Sequence, residues 1–283
     1  MIDSSQLCSV TQLEALIEQG AVSVLDGSWY LPSKDVDSES QFKQQHIPSA
    51  QFFDVDLICD QKSNLPHMLP GAVEFSQAVG DLGISNDSQV IVYDSAGLFS
   101  AARVWWMFKV FGHQNVQVLN GGLPAWIEQG GALENGLKAI AKKNYTATLS
   151  KQRVIGKLEL VENISSKRYR VVDARSKARF LGQSPEPREG LPSGHMPESI
   201  CMSFDTLLDS GRLKTREQLQ TLFNQAGLLR GTPLVTSCGS GVTAAIVTLA
   251  LFECGYGLNR LYDGSWAEWA SADDTTIINK SVY

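Results

Sequence analysis

The sequence predicts an α/β protein in which one fold is built twice, as two tandem domains that are each a mainly parallel sheet flanked by helices. Two observations lead there. Short apolar runs of strand length alternate with longer stretches of helical length all along the chain. The second half also repeats the first. "SVLD", ending at Asp26, returns as "RVVD", ending at Asp173. "HIPSAQFFDVD" (46–56) returns as "HMPESICMSFD" (195–205), which pairs His46 with His195 and Asp56 with Asp205. "VIVYDSAG" (90–97) matches "LVTSCGSG" (234–241), and "VLNGGLPAW" (118–126) matches "LYDGSWAEW" (261–269). Self-similarity at a long, fixed offset is the mark of a duplicated structural unit.

Taken in order, "VSVLD" (22–26), "QVIVYD" (89–94) and "VQVL" (116–119) read as short buried strands, with "SAARVWWMFKVFG" (100–112) as a helix between the last two. In the second half "YRVVDAR" (169–175), "TPLVTS" (232–237) and "NRLYD" (259–263) read as strands and "TREQLQTLFNQAG" (215–227) as a helix. Trp105 and Trp106 share their helix with Val104, Met107 and Phe108, which marks them as core. The first domain is placed at residues 1–140 and the second at 161–283. The Lys-rich polar stretch between them, 141–160, is expected to be the linker. Features present in both halves, such as Asp26 with Asp173 and His46 with His195, are expected to serve the fold.

Composition narrows the function. A chain of 283 residues with 43% hydrophobic and 19% charged residues can bury a substantial core in two domains. A net charge of −6 argues against a general nucleic-acid binder. No apolar run reaches membrane-spanning length; "VTAAIVTLALFECG" is short and carries Glu253. The opening "MIDSSQLCSV" lacks the basic region of an export signal. The expectation is a cytoplasmic protein whose partners include neither nucleic acid nor membrane. The five cysteines, Cys8, Cys59, Cys201, Cys238 and Cys254, contain no CxxC pair, so neither a zinc cluster nor a disulfide framework is indicated.

Cys238 stands apart. It follows the strand "PLVTS" and precedes the apolar helix "VTAAIVTLALFECG", in the turn where α/β folds place ligands. Asp94 occupies its place in the first half, so the duplicated geometry carries a thiol only once. Gly239 and Gly241 are expected to adopt positive φ and curl their amides inward. Such a turn at a helix N-terminus cradles an anion and stabilises a thiolate. The alternative is a buried cysteine in a glycine turn. A cysteine phosphatase would need an Arg six residues after the nucleophile, where this chain has Ala244. No Arg or Lys lies between Cys238 and Thr243, so a dianion would meet only backbone dipoles there.

With these residues in view, "CGSGVTA" (238–244) resembles the active loop of the 3-mercaptopyruvate sulfurtransferases in the two-domain rhodanese family. The likeness runs from about residue 8 to 275. It includes "SWYLP" (28–32), "FDVD" (53–56), "HMLPG" (67–71), "RVWWMF" (103–108), "PEPREG" (185–190), "SGHMP" (193–197) and "YDGSWAEW" (262–269). One departure is Ser49 in "HIPSA", where the family usually has glycine. The resemblance implies two rhodanese-like domains, the first non-catalytic. It implies that Cys238 takes sulfur from 3-mercaptopyruvate as a persulfide, releases pyruvate, and passes the sulfur to a thiol acceptor such as thioredoxin or to cyanide. It implies that Arg179 and Arg188 bind the substrate carboxylate and carbonyl, that Gly239, Gly241, Val242 and Thr243 complete the substrate loop, and that Ser240, His67 and Asp56 form a proton relay. Neither a cofactor nor a metal is implied. Two other functions share the fold: a thiosulfate:cyanide sulfurtransferase, and a non-catalytic persulfide carrier or regulatory module.

Overall fold

The computed structural model describes residues 5–279. The opening residues, on which the expectation about an export signal partly rests, lie outside that range. The chain divides into two compact units. The first runs to Gln61 and resumes over Leu69–Ser150 and Ser210–Leu213. The second holds Lys62–Met68, Lys151–Asp209 and the chain from Lys214 onward.

The first unit contains β1 (Leu7–Cys8), α1 (Val10–Glu18), β2 (Ser23–Asp26), α2 (Ser38–Gln44), β3 (Gln51–Phe52), α3 (Ala72–Asp81), β4 (Val90–Tyr93), α4 (Ala101–Val110), β5 (Val116–Leu119) and α5 (Gly122–Glu128). Its sheet has the order β1-β5-β4-β2-β3 and is parallel throughout. β4, "VIVY", is buried at every position, as a strand covered on both faces must be. Every residue of α4 except Lys109 is buried, which is why its sequence shows no polar face. Trp105 and Trp106 are both fully enclosed there.

The second unit repeats the plan with β6 (Val154–Ile155), α6 (Lys157–Ser166), β7 (Arg170–Asp173), α7 (Lys177–Phe180), β8 (Ile200–Cys201), β9 (Leu208–Asp209), α8 (Arg216–Gln225), β11 (Leu234–Ser237), α9 (Ala244–Glu253), β12 (Arg260–Tyr262) and α10 (Ser265–Ser271). The intervening β10 (Arg212–Leu213) groups with the first unit. The five-stranded sheet has the order β6-β12-β11-β7-β8, again parallel. In each sheet the chain leaves the central pair in opposite directions, so the carboxyl ends of β4 and β11 sit where strand order reverses.

The duplication reaches single hydrogen bonds. The register Asp26↔Tyr93 in the first sheet recurs as Ser237↔Asp173 in the second. His46 Nδ1 lies 2.8 Å from Phe42 O, and its ring stacks on Phe42 at 4.1 Å. His195 Nδ1 lies 2.8 Å from Phe180 O, and its ring stacks on Phe180 at 4.0 Å. Ser49 and Glu198 hold the same left-handed conformation, at φ 65° and 60°. The serine at 49 therefore sits where glycine is easiest, and its counterpart is not glycine either.

The stretch 141–160 is not a free connector. Lys143 N–H bonds to Gly80 O, Thr148 N–H to Phe111 O and Ser150 N–H to Val110 O, while Tyr145 is buried against Phe75 and Phe108. Its carboxyl end already belongs to α6. Polar composition suggested a linker because the backbone, and not the lysine side chains, makes these attachments.

The turn after β4 shows what the repeated geometry demands. Asp94 is buried, and its carboxylate accepts the amides of Ala96 at 2.9 Å, Phe99 at 2.7 Å, Ser100 at 2.9 Å and Ala101 at 2.8 Å. Its removal strands four donors at a buried helix start. Asp94→Ala is expected to destabilise the protein by about 3 kcal/mol in chemical denaturation. A second expectation concerns Asp26. Burial pushes its carboxyl up to about 6, against the opposing effect of the Ser28 hydrogen bonds, with the nearby Asp94 charge adding to the rise. A carboxyl that binds its proton more tightly in the folded state contributes stability that is full below about pH 4 and is lost as pH rises through about 6. Asp26→Asn should therefore gain on the wild type by roughly 3 kcal/mol between those pH values, measured as the difference in urea-unfolding free energy.

Candidate active site

Cys238 follows the carboxyl end of β11 and is 2% exposed. The turn runs Cys238, Gly239, Ser240, Gly241, Val242, and α9 begins at Ala244 with Thr243 as its N-cap residue. The helix starts two residues later than its apolar sequence suggests, because the turn takes up Val242 and Thr243. Gly241 has φ 81°, as Gly97 in the first half has φ 105°. Gly239 does not take positive φ, contrary to expectation. Its lack of a side chain has a different cause. A Cβ built there would lie 3.2 Å from Arg179 Nη2 and 3.8 Å from Arg188 Nη1. The Arg179 guanidinium crowds the space above position 239, with Arg188 at ordinary contact distance.

By the offset that aligns Asp94 with Cys238, the amides that bind the Asp94 carboxylate correspond to those of Ser240, Thr243, Ala244 and Ala245. The Ala245 amide bonds to Val242 O. The loop is tied down from the other side as well. Trp266 N–H donates to Cys238 O at 2.9 Å and Ala267 N–H to Gly239 O at 3.0 Å. Cys238 N–H donates to Ser265 Oγ at 3.3 Å, and Ser265 Oγ–H donates to Tyr262 O at 2.8 Å. Ser265 pays for this position with a left-handed φ of 50°; its counterpart Gly122 has φ 54°.

His67 joins the loop. It belongs to the segment that groups with the second unit, is 4% exposed, and its Nδ1 lies 3.0 Å from Ser240 Oγ. The structure thus brings Ser240 and His67 together. Asp56 belongs to the first unit, where Trp29 Nε1 donates to both of its carboxylate oxygens at 3.2 and 3.0 Å.

Arg179 is held by Glu186, whose carboxylate is almost fully buried. Arg179 Nε donates to Glu186 Oε2 at 3.1 Å, and Nη2 donates to the same oxygen. The other oxygen, Oε1, accepts from Arg175 Nη1 at 2.8 Å. Arg175 is completely enclosed. It donates from Nε and Nη2 to the Asp173 carboxylate, from Nη2 to Gly194 O at 2.7 Å, and lies 4.0 Å above the Trp266 ring. Burial opposes its charge, but Asp173 and Glu186 outweigh that and raise its pKa above the usual value. Arg175, Glu186 and Ser265 were not singled out from the sequence. The signal for Ser265 was present, since the first half has glycine in its place.

Burial pushes Cys8, Cys201 and Cys254 up to about 11, and raises Cys59 as well. All five cysteines are free. Among the described residues no group of three or more His, Cys, Asp and Glu side chains could hold a metal ion, and no helix is long and apolar enough to cross a membrane.

Comparisons with known proteins match the duplicated fold. The model of the rhodanese-like domain matches residues 9–129 and 157–272. The chain is 41% identical over 295 residues to thiosulfate/3-mercaptopyruvate sulfurtransferase 2 of Arabidopsis thaliana, covering 96% of this chain and 86% of the relative. It is 42% identical over 251 residues to 3-mercaptopyruvate sulfurtransferase of Homo sapiens, covering 88% and 84% of the two. The crystal structure of the 3-mercaptopyruvate sulfotransferase SseA from Escherichia coli superposes with a TM-score of 0.86 at 32% identity, over 93% of this chain and 99% of that one.

The space above Gly239 can be tested directly. Gly239→Ala needs no strained φ, so its melting temperature should stay close to that of the wild type. The added methyl must displace Arg179 Nη2 by a few tenths of an ångström, against the grip of Glu186. The KM for an anionic donor is expected to rise roughly fivefold, about 1 kcal/mol. An unchanged KM would place donor binding away from Arg179.

Proposed function

The chain belongs to the rhodanese family, and we propose that it is a sulfurtransferase whose preferred donor is 3-mercaptopyruvate. One observation carries the reading: a single cysteine follows the central strand of the second sheet, in a loop with no cation of its own that has two guanidiniums above Gly239 and a Ser240–His67 hydrogen bond. Arg179 and Arg188 suit a carboxylate and its adjacent carbonyl, because guanidinium donors match planar oxygen pairs.

The reaction then follows. The Cys238 thiolate attacks the donor sulfur and forms an S–S bond. The carbon–sulfur bond breaks, its electron pair remains on the carbon as an enolate, and protonation of that carbon gives pyruvate. The Arg pair stabilises the enolate oxygen as its charge grows. Ser240 and His67 form a path by which the donor thiol loses its proton and the enolate gains one; Asp56 is the third member of this relay. The outer sulfur of the Cys238 persulfide passes to a thiol, reduced thioredoxin or cyanide, which completes a two-step covalent cycle. Loop amides and the start of α9 favour the anionic sulfur in both steps.

The first half, residues 1–140, is non-catalytic in this reading, since Asp94 fills its cradle. Thiosulfate is a second donor, supported by the name of the Arabidopsis relative and by the amides of the loop. The free thiols and the chain's composition favour a reducing compartment, with the cytoplasm as the proposed site of action.

Side-by-side kcat/KM values for 3-mercaptopyruvate and thiosulfate, with pyruvate measured as product, test the donor. A larger value for thiosulfate would reverse the assignment. Cys238→Ser is expected to abolish transfer, while Cys8→Ser, Cys59→Ser, Cys201→Ser and Cys254→Ser each retain most activity. Mass spectrometry after exposure to donor alone should find one added sulfur on Cys238. Substantial turnover by Cys238→Ser would remove the thiol from the mechanism.

A further inference from the structure

We propose that Glu186 is a positioning residue that sets the charge of donor the site accepts, favouring a monoanionic 2-oxo acid over a dianion. The inference rests on the donor reading above and extends it to a residue outside the reacting groups. The position of Glu186 is unusual for a carboxylate. It is about 2% exposed, and its two oxygens are divided between two arginines, Oε1 to Arg175 and Oε2 to Arg179. Arg175 is immobilised by Asp173, Gly194 O and the Trp266 face, so it anchors Glu186 from behind. Glu186 in turn fixes Arg179, whose Nη2 ends 3.2 Å from where a Cβ of Gly239 would stand. The chain of contacts runs from the end of β7, through Asp173, Arg175, Glu186 and Arg179, to the residue after the nucleophile.

Two consequences follow from the geometry. Arg179 gives Nε and one Nη2 hydrogen to Glu186, so it offers a donor its Nη1 edge and not the side-on fork through Nε. The negative charge of Glu186 also offsets the positive charge of Arg179 at direct contact. A donor at the loop therefore meets the Arg179 guanidinium with a carboxylate directly behind it. That field suits one carboxylate charge and gives less to a second negative charge. Because the loop has no Lys or Arg, no other residue between Cys238 and Thr243 restores the difference.

Removing the Glu186 charge while keeping its shape adds one unit of positive charge beside the loop, whatever else the guanidiniums touch. In Glu186→Gln the ratio of kcat/KM for thiosulfate to that for 3-mercaptopyruvate should rise about tenfold, the order expected for one unit charge at close range in partly screened surroundings. Lowering ionic strength should enlarge that change, because the gain is electrostatic. Glu186→Asp keeps the charge but shortens the reach to Arg179. It should raise the KM for 3-mercaptopyruvate severalfold and leave the donor ratio near that of the wild type.

The measurement uses the full-length protein, with circular dichroism and melting temperature confirming the fold of each variant. Anion binding is measured in parallel by calorimetry, with pyruvate and sulfate as probes, in Cys238→Ser with and without Glu186→Gln. A shift in affinity toward sulfate supports the proposal. An unchanged donor ratio in folded Glu186→Gln, or an equal loss for both donors, overturns it by making Glu186 purely structural. Should Glu186→Gln fail to fold, a wild-type KM in Glu186→Asp overturns it. If the wild type fails to release pyruvate from 3-mercaptopyruvate, the donor reading fails, and the pyruvate-to-sulfate comparison still decides the role of Glu186.

Discussion

A tight turn from a central strand into a buried helix aims main-chain amides at one point, and something must accept them. Everything distinctive in this chain follows from that constraint. Buried donors left without acceptors cost far more than ordinary hydrogen bonds return, so the turn cannot be left empty and dry. The first half meets the demand internally, with the Asp94 carboxylate accepting four amides. The second half keeps the same strand, the same turn and the same left-handed glycine, but supplies a cysteine. In the proposed reaction a sulfur atom that becomes an anion finds a polar environment already in place, with no reorganisation needed.

The arginines pose the opposite problem. A guanidinium held beside a reactive sulfur must keep its charge and its direction in surroundings that are mostly buried. Taking ions out of water is unfavourable, and a buried ion pair recovers that loss only when its geometry is good and its remaining donors are satisfied. Arg175 meets both conditions, with Asp173, Glu186, Gly194 O and the Trp266 face all engaged. Arg179, closer to the loop, has only one side anchored. That division of roles fits the chemistry. The inner arginine holds the frame, and in the proposed reaction the outer one turns its remaining edge to the donor.

Much of this was legible in the sequence. The four-residue central strands were found because burial on both faces leaves a run without charges, apolar throughout in "VIVY" and β-branched in "LVTS". Cys238 was singled out by comparing the halves, a test that asks only which residue breaks the repeat, and the structure places it directly after β11. The two-residue strands β1, β3, β6 and β8 were missed, since two residues carry no periodicity. Glu186 was missed because an acidic residue in a proline-rich loop reads as solvent-exposed; only the fold turns it inward between two arginines. Gly239 was assigned to backbone freedom, whereas it has no positive φ and the crowding above it comes from Arg179. Sequence shows where glycine occurs, and only packing shows whether φ or volume requires it.

The differences between the halves form a set. At the three aligned positions, Asp94 becomes Cys238, Ala96 becomes Ser240 and Gly122 becomes Ser265. Each change alone would harm the fold or do nothing. Cys238 without other support would lose the carboxylate that accepts the amides. Ser240 is useful only with His67 within reach of its hydroxyl, and that contact is present at 3.0 Å. Ser265 gives up the glycine that a left-handed φ prefers, yet its hydroxyl accepts the Cys238 amide and bonds back to Tyr262. That bond fixes the main chain at Cys238. The three replacements together exchange a carboxylate-filled loop for one that carries a thiol, with Ser240 paired to His67 and Ser265 to the Cys238 amide. The backbone needed no redesign, because both loops require the same turn.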